Sequence, residues 1–240
     1  MPTPQIFAFS GMLVGAGDDR TNADLVDHAV GLTGADRPRV CHVPTATGDR
    51  PDWIEQQRAG WAERRPHVEF SVLTLFNQPS VPDVRRHLLA QDLIFVEGGS
   101  VVNLMALWRA HGLDEVMREC WEAGIVLAGP SAGSLCWHTG GPTDSFSDDL
   151  APFTDGLGLL PWSNGVHDDV DDQPRRTVYR SLVAAGTLAG GYATEDGVGL
   201  HYVGTDLHEA VTVRRGSQAW RVEPDGVGGH TEEPVPARFV

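Results

Sequence analysis

Short apolar runs alternate with amphipathic stretches as far as residue 140. Residues 6–10, 39–43, 68–75, 92–96 and 125–128 read as strands, and residues 22–32, 53–64, 81–90 and 101–108 between them read as helices. The clearest helix covers 113–123, where Leu113, Val116, Met117, Cys120 and Trp121 fall at i, i+3, i+4, i+7 and i+8 on one stripe. Cys120 lies within that stripe and reads as core, since a free cysteine packs as a small hydrophobe. Strands alternating with helices predict βαβ units, and so an α/β fold with a mostly parallel sheet flanked by helices.

After residue 140 the texture changes. Loops rich in Gly, Pro and Asp surround one helix at 175–185, and residues 198–222 alternate like antiparallel strands. Turns are expected at Gly204-Thr205-Asp206 and Arg215-Gly216-Ser217. From Val222 onward Gly, Pro and Glu predominate, which predicts a frayed tail. Neither an internal repeat nor a long linker interrupts the chain, so one domain over 1–240 is expected.

Composition narrows the function. With 41% apolar and 21% charged residues the chain is globular, and no apolar run is long enough to span a bilayer. The N-terminus lacks the basic region of a signal peptide. Cys41, Cys120 and Cys136 are odd in number and lack Cys-x-x-Cys spacing, which favours a reducing compartment and a cytoplasmic location. A net charge of −15 disfavours nucleic acid and anionic membranes as partners and serves solubility.

The strongest chemical signal is Gly129-Pro130-Ser131-Ala132-Gly133, a Gly-x-Ser-x-Gly pattern between a predicted strand and a helix-compatible segment. A sharp strand-to-helix turn exposes the serine hydroxyl, and the glycines leave room where side chains would collide. The amide of Ala132 can then face an oxyanion. Gly98-Gly99-Ser100 opens the end of another strand ahead of a helix, where α/β sheets place ligands, and Gly99 is a natural second donor.

These segments resemble the peptidase E family of serine peptidases, which includes aspartyl dipeptidase and cyanophycinase. The resemblance rests on Glu97-Gly98-Gly99, the serine block through Trp137, Gly140-Gly141-Pro142-Thr143-Asp144-Ser145-Phe146, Gly156 to Pro161 with His167-Asp168-Asp169, and Asp196-Gly197-Val198-Gly199-Leu200-His201. It covers the chain from about residue 93 to 215. It implies a sheet related to the class I glutamine amidotransferase fold with antiparallel C-terminal strands. It also implies a serine exopeptidase acting on small peptides, including dipeptides with an N-terminal aspartate.

A serine needs a base and a group to hold that base. The resemblance assigns the base to His167, with His138 as the rival and His42 read as structural. The family acid is a glutamate, and its position here reads Asp196, preceded by Glu195. Asp144 is a third candidate, so the orienter stays open among these three. Arg175 and Arg176 read equally as partners for a substrate carboxylate and as surface arginines at a helix start. Asp168, Asp169, Asp171 and Asp172 lack calcium-loop spacing and read as a solvated loop, so no metal site is assigned. Acyl transfer by such a triad requires no cofactor. Homo-oligomers are common among soluble enzymes, but no interface is identifiable here. Competing readings are thiol chemistry at Cys136, an amidohydrolase acting on non-peptide amides, and a non-catalytic binding module on the same scaffold.

Overall fold

The computed structural model describes residues 3–11 and 20–240. In β1 (Gln5–Phe9), Ile6 and Ala8 face one core and Phe7 and Phe9 the other, and all four are buried. A strand apolar on both faces belongs inside a sheet covered by helices on both sides. The chain continues through α1 (Arg20–Gly31), β2 (Arg39–Val43), α2 (Pro51–Arg64), β3 (Glu69–Val72), α3 (Val84–Leu89), β4 (Leu93–Val96), α4 (Val101–His111), α5 (Leu113–Glu122) and β5 (Val126–Pro130). Strands β1, β5, β4, β2 and β3 lie side by side in that order, all parallel, as the alternation predicts.

Two cores follow from this layering. Leu25, Val26 and Ala29 of α1 and Trp61 of α2 cover the face that carries Phe7, Phe9 and Phe95. Leu104, Met105 and Trp108 of α4 and Leu113, Met117 and Cys120 of α5 cover the opposite face, with Ile6, Ile94 and Leu127. Each fully buried Leu or Met contributes roughly 1.5–3 kcal/mol of transfer free energy.

After β5 come α6 (Ala132–Leu135), β6 (Gly141–Thr143), β7 (Ala151–Phe153), β8 (Ser163–Val166), α7 (Arg175–Ala184), β9 (Gly191–Thr194), β10 (Val198–Val203), β11 (Asp206–Thr212), β12 (Ala219–Pro224), β13 (His230–Val235) and β14 (Ala237–Phe239). Strand β10 pairs antiparallel with β1, β11 antiparallel with β10, and β14 parallel with β11, completing an eight-stranded sheet. The turn at Gly204-Thr205 closes the β10–β11 hairpin. The turn at Arg215-Gly216-Ser217 closes none. It carries the chain into a second sheet ordered β13-β12-β9-β8. There Val222 and Ala193 join Tyr179, Val183 and Leu188 in a small core of their own.

The segment expected to fray also pairs. Strand β13 hydrogen-bonds to β12, and Glu232 accepts from Arg176 (3.1 Å) and Arg180 (2.6 Å) of α7. Those partners lie some fifty residues upstream, out of reach of a compositional reading. Among the described residues no helix is long and apolar enough to cross a membrane.

Candidate active site

Ser131 stands between β5 and α6 with φ 53° and ψ −112°. Such a backbone costs a non-glycine residue about 1–3 kcal/mol and persists only where its surroundings impose it. Here the Ser131 N–H donates to the Phe9 carbonyl (3.1 Å), and the Ser131 carbonyl accepts from Ser134 and Leu135 (2.9 and 2.8 Å). The flanking glycines have a steric cause. A Cβ at Gly129 would lie 2.2 Å from the Val96 carbonyl oxygen, and one at Gly133 2.1 Å from the same atom. The elbow therefore seats directly on the end of β4.

Gly98 and Gly99 follow β4 beside it. A Cβ on Gly98 would come within 3.4 Å of Ser131 Cβ, and one on Gly99 (φ 132°) within 2.4 Å of the Ala46 carbonyl oxygen. Among the described residues the N–H groups of Gly98, Gly99 and Ala132 have no hydrogen-bond acceptor. Unpartnered donors therefore flank the serine.

His167 follows β8 and is held at φ 59°. Its N–H donates to Ser10 Oγ (3.1 Å), Ser10 Oγ bonds Thr194 Oγ1 (2.6 Å), and the Asp168 N–H donates to the Thr194 carbonyl (3.0 Å). On the ring, Nδ1–H donates to Asp196 Oδ1 at 2.5 Å. The Asp196 N–H donates to Asp169 Oδ1 (2.7 Å), while Arg214 bridges Asp169 Oδ2 and the Asp196 carbonyl (3.0 Å each). Next to Asp196, the Gly197 N–H donates to the Ser10 carbonyl (3.0 Å).

Of the three candidate orienters, Asp196 is the one against the imidazole. Glu195 turns to the start of β12, where its carboxylate accepts the Gln218 N–H (2.9 Å), and burial raises its pKa above the ordinary carboxylate value. Asp144 pairs with Arg175. With Nδ1 engaged, the lone pair lies on Nε2, as proton abstraction from a hydroxyl requires. No hydrogen bond joins His167 to Ser131, but both line one cavity of about 620 Å³ with Gly98, Gly99, Asp196 and Arg175. Catalytic hydrogen bonds are commonly long in a free enzyme and tighten once substrate is bound.

The remaining candidates separate cleanly. His138 is fully buried in the core. Its Nδ1–H donates to the Ser134 carbonyl (2.8 Å), Tyr202 donates to Nε2 (3.3 Å), and burial lowers its pKa to about 4. Cys136 is fully buried with its Sγ against the Gly133 carbonyl (3.6 Å), and burial holds its thiol well above the ordinary pKa. His42 is buried and bonds Glu97 Oε2 through Nε2 (2.5 Å). Arg175 lines the cavity. Arg176 does not, because it donates to Asp168 (2.9 Å) and Glu232 and lies over the Trp220 ring. Asp168 is itself buried and bound by Arg180 (2.6 Å), so the acidic loop is partly a buried ion-pair network and not wholly solvated.

Sequence reasoning missed Ser10, Thr194 and Asp169. Ser10 carried a usable signal, since it ends a central strand on the side where α/β sheets bind ligands. Asp169 had none, being one aspartate among several in its loop.

An α/β fold thus brings Ser131, His167 and Asp196 to one cavity. The model of peptidase family S51 matches residues 12–210, and the chain belongs to that family. It is 35% identical over 240 residues to the uncharacterized peptidase YgaJ of Bacillus subtilis (strain 168), covering 98% of this chain and 99% of that one. Among solved structures, a peptidase from an acI-B1 Actinobacterium superposes with a TM-score of 0.67 at 18% identity, covering 98% of this chain and 95% of the other. A protein from Listeria monocytogenes EGD-e assigned to peptidase E gives a TM-score of 0.62 at 17% identity, covering 88% of this chain and 98% of the other. At these identities the two structures show the fold. The protein is a peptidase by family.

Proposed function

We propose that this peptidase is a serine exopeptidase that cleaves small peptides through an acyl-enzyme on Ser131. The observation that carries the reading is the shared cavity. A strained serine opens onto it, and so does a histidine whose Nδ1–H is held by Asp196 at 2.5 Å.

Ser131 Oγ attacks the scissile carbonyl carbon while His167 Nε2 takes its proton. Asp196 holds the tautomer and stabilises the imidazolium that forms. The N–H groups of Gly99 and Ala132 donate to the developing oxyanion, each worth roughly 10²–10³ in kcat by the usual measure of such donors. His167 then protonates the leaving amine, and water enters by the same steps in reverse to free the acid. No cofactor enters any step. A cavity of about 620 Å³ is of the size that takes a small ligand, which supports short peptides as substrates. Dipeptides with an N-terminal aspartate, implied by the family resemblance, would need a cation there, and Arg175 is the arginine that lines it. Three free, buried cysteines support a reducing, cytoplasmic setting.

The test is labelling by a serine-directed phosphonate in wild type, Ser131→Ala and His167→Ala. The expected result is a modified Ser131, no labelling in the first variant and a collapse in the second. Undiminished labelling of Ser131→Ala would refute the assignment.

A further inference from the structure

The charges around the cavity bear on which peptides it admits. Among the described residues that line it, Glu97, Asp144, Asp172 and Asp196 are acidic and Arg175 is the one lysine or arginine. An acidic side chain on the substrate would have to be met by that guanidinium, yet Arg175 is already engaged. Its Nη2–H donates to Asp144 Oδ2 at 2.8 Å, with Arg175 buried and Asp144 43% exposed. Gln173 donates to the same oxygen (3.3 Å).

The loop carrying Asp144 is anchored on both sides. Ser145 Oγ accepts the Val101 N–H at the start of α4 (3.0 Å) and bonds Thr143 Oγ1 (2.8 Å). Asp144 thus sits where the carboxylate of a ligand would otherwise lie, and two carboxylates on one guanidinium repel. Glu97 is paired with His42 and Asp196 with His167, whereas Asp172 has no ion-pair partner among the described residues. Trp53 and Val170 add apolar wall.

We propose that Asp144 is a specificity-determining residue. By holding Arg175 it excludes peptides with an acidic N-terminal side chain and leaves the cavity to peptides whose first residue is neutral or cationic. This rests on reading the cavity as the peptide site.

Calorimetric binding to the Ser131→Ala protein separates recognition from chemistry. Lys-Leu and Leu-Leu should bind, and Asp-Leu should bind at least about tenfold more weakly, the scale of one lost charge-assisted contact. In Ser131→Ala/Asp144→Asn, Asp-Leu should gain about tenfold on Leu-Leu. Adding Arg175→Met should erase that gain, and Asp144→Glu should keep the parental order. Asp144 is half-exposed on a loop, and unfolding curves of each variant check that the fold is intact. Tightest binding of Asp-Leu with Asp144 present would overturn the proposal. So would an unchanged ratio in folded Asp144→Asn, or failure of all three peptides to bind. Persistent phosphonate labelling of Ser131→Ala would instead sink the nucleophile assignment and leave the binding order as a separate result.

Discussion

Replacing Gly133 by alanine tests the seat of the elbow. The added Cβ would stand 2.1 Å from the Val96 carbonyl oxygen, 2.8 Å from the Val96 carbonyl carbon and 3.2 Å from the Glu97 carbonyl oxygen. Carbon–oxygen contacts of this kind normally settle near 3.3–3.6 Å, so α6 and the end of β4 must part by roughly 1 Å. Every atom in the clash is backbone, and no rotamer can relieve it. Overpacking costs about 1–3 kcal/mol, and a rigid backbone contact belongs at the upper end. For a chain of this size that is a fall in Tm of roughly 6–12 °C. The same displacement separates Ser131 and Ala132 from Gly99, and a 1 Å misplacement of reacting groups lowers rates about 10²-fold. Thermal melting and the rate of phosphonate labelling read the two effects. Gly60→Ala in α2 is the control, because nothing lies within 4 Å of its Cβ position. It should gain up to about 1 kcal/mol from helix propensity. If Gly133→Ala melts and labels like wild type, the steric account of the motif is wrong.

Three further outcomes are expected. Asp196→Asn should lower kcat by about 10³–10⁴ with little change in KM or Tm, since the wrong tautomer is then held. Glu195→Gln should stay within about threefold, and a reversal in peptide hydrolysis assays would move the orienter to Glu195. His138 titrates near 6.5 when unfolded and at about 4 in the fold, so across that window the unfolded chain binds the extra proton. Stability therefore rises with pH between those values and is lost on acidification, on the order of 3 kcal/mol from this residue. Urea midpoints from pH 7 to 4.5 should show a slope that flattens in His138→Gln, and an unchanged slope would remove His138 as the source. Burial pushes the Cys41 and Cys120 thiols up to about 12 and holds Cys136 well above its ordinary value, so none should react with a disulfide reagent at pH 8 until the protein is denatured. A fast-reacting thiol in the folded protein would contradict this.

The parallel half of the fold was legible because β1, β2, β4 and β5 are buried on both faces and read as apolar runs. The elbow was legible because its five residues are contiguous, although the collision its glycines avoid is with Val96 on another strand. The second sheet was not. Gly165 packs under Tyr179, and Gly191 packs on the Ser163 backbone, so β8 and β9 are built from small residues that carry no strand pattern. The choice between Glu195 and Asp196 turned on distant partners: the Gln218 N–H just ahead of β12 holds Glu195, and the His167 ring holds Asp196. Arg175 and Arg176 are neighbours with the same chemistry. What parts them is Asp144 on one side and Asp168 with Glu232 on the other, none of which a local reading weighs.

Phe9 and Ser10 have a consequence for when the molecule becomes active. They accept the N–H groups of Ser131, Gly197 and His167, and so hold the serine, the histidine and the turn containing Asp196 in place. The Ser10–His167 contact closes a separation of 157 residues, so it forms only after most of the chain exists and has been drawn together. A nascent chain can carry Ser131 on its turn while His167 has nowhere to sit. On the proposed mechanism, competence to cut peptides then arrives only when that contact closes.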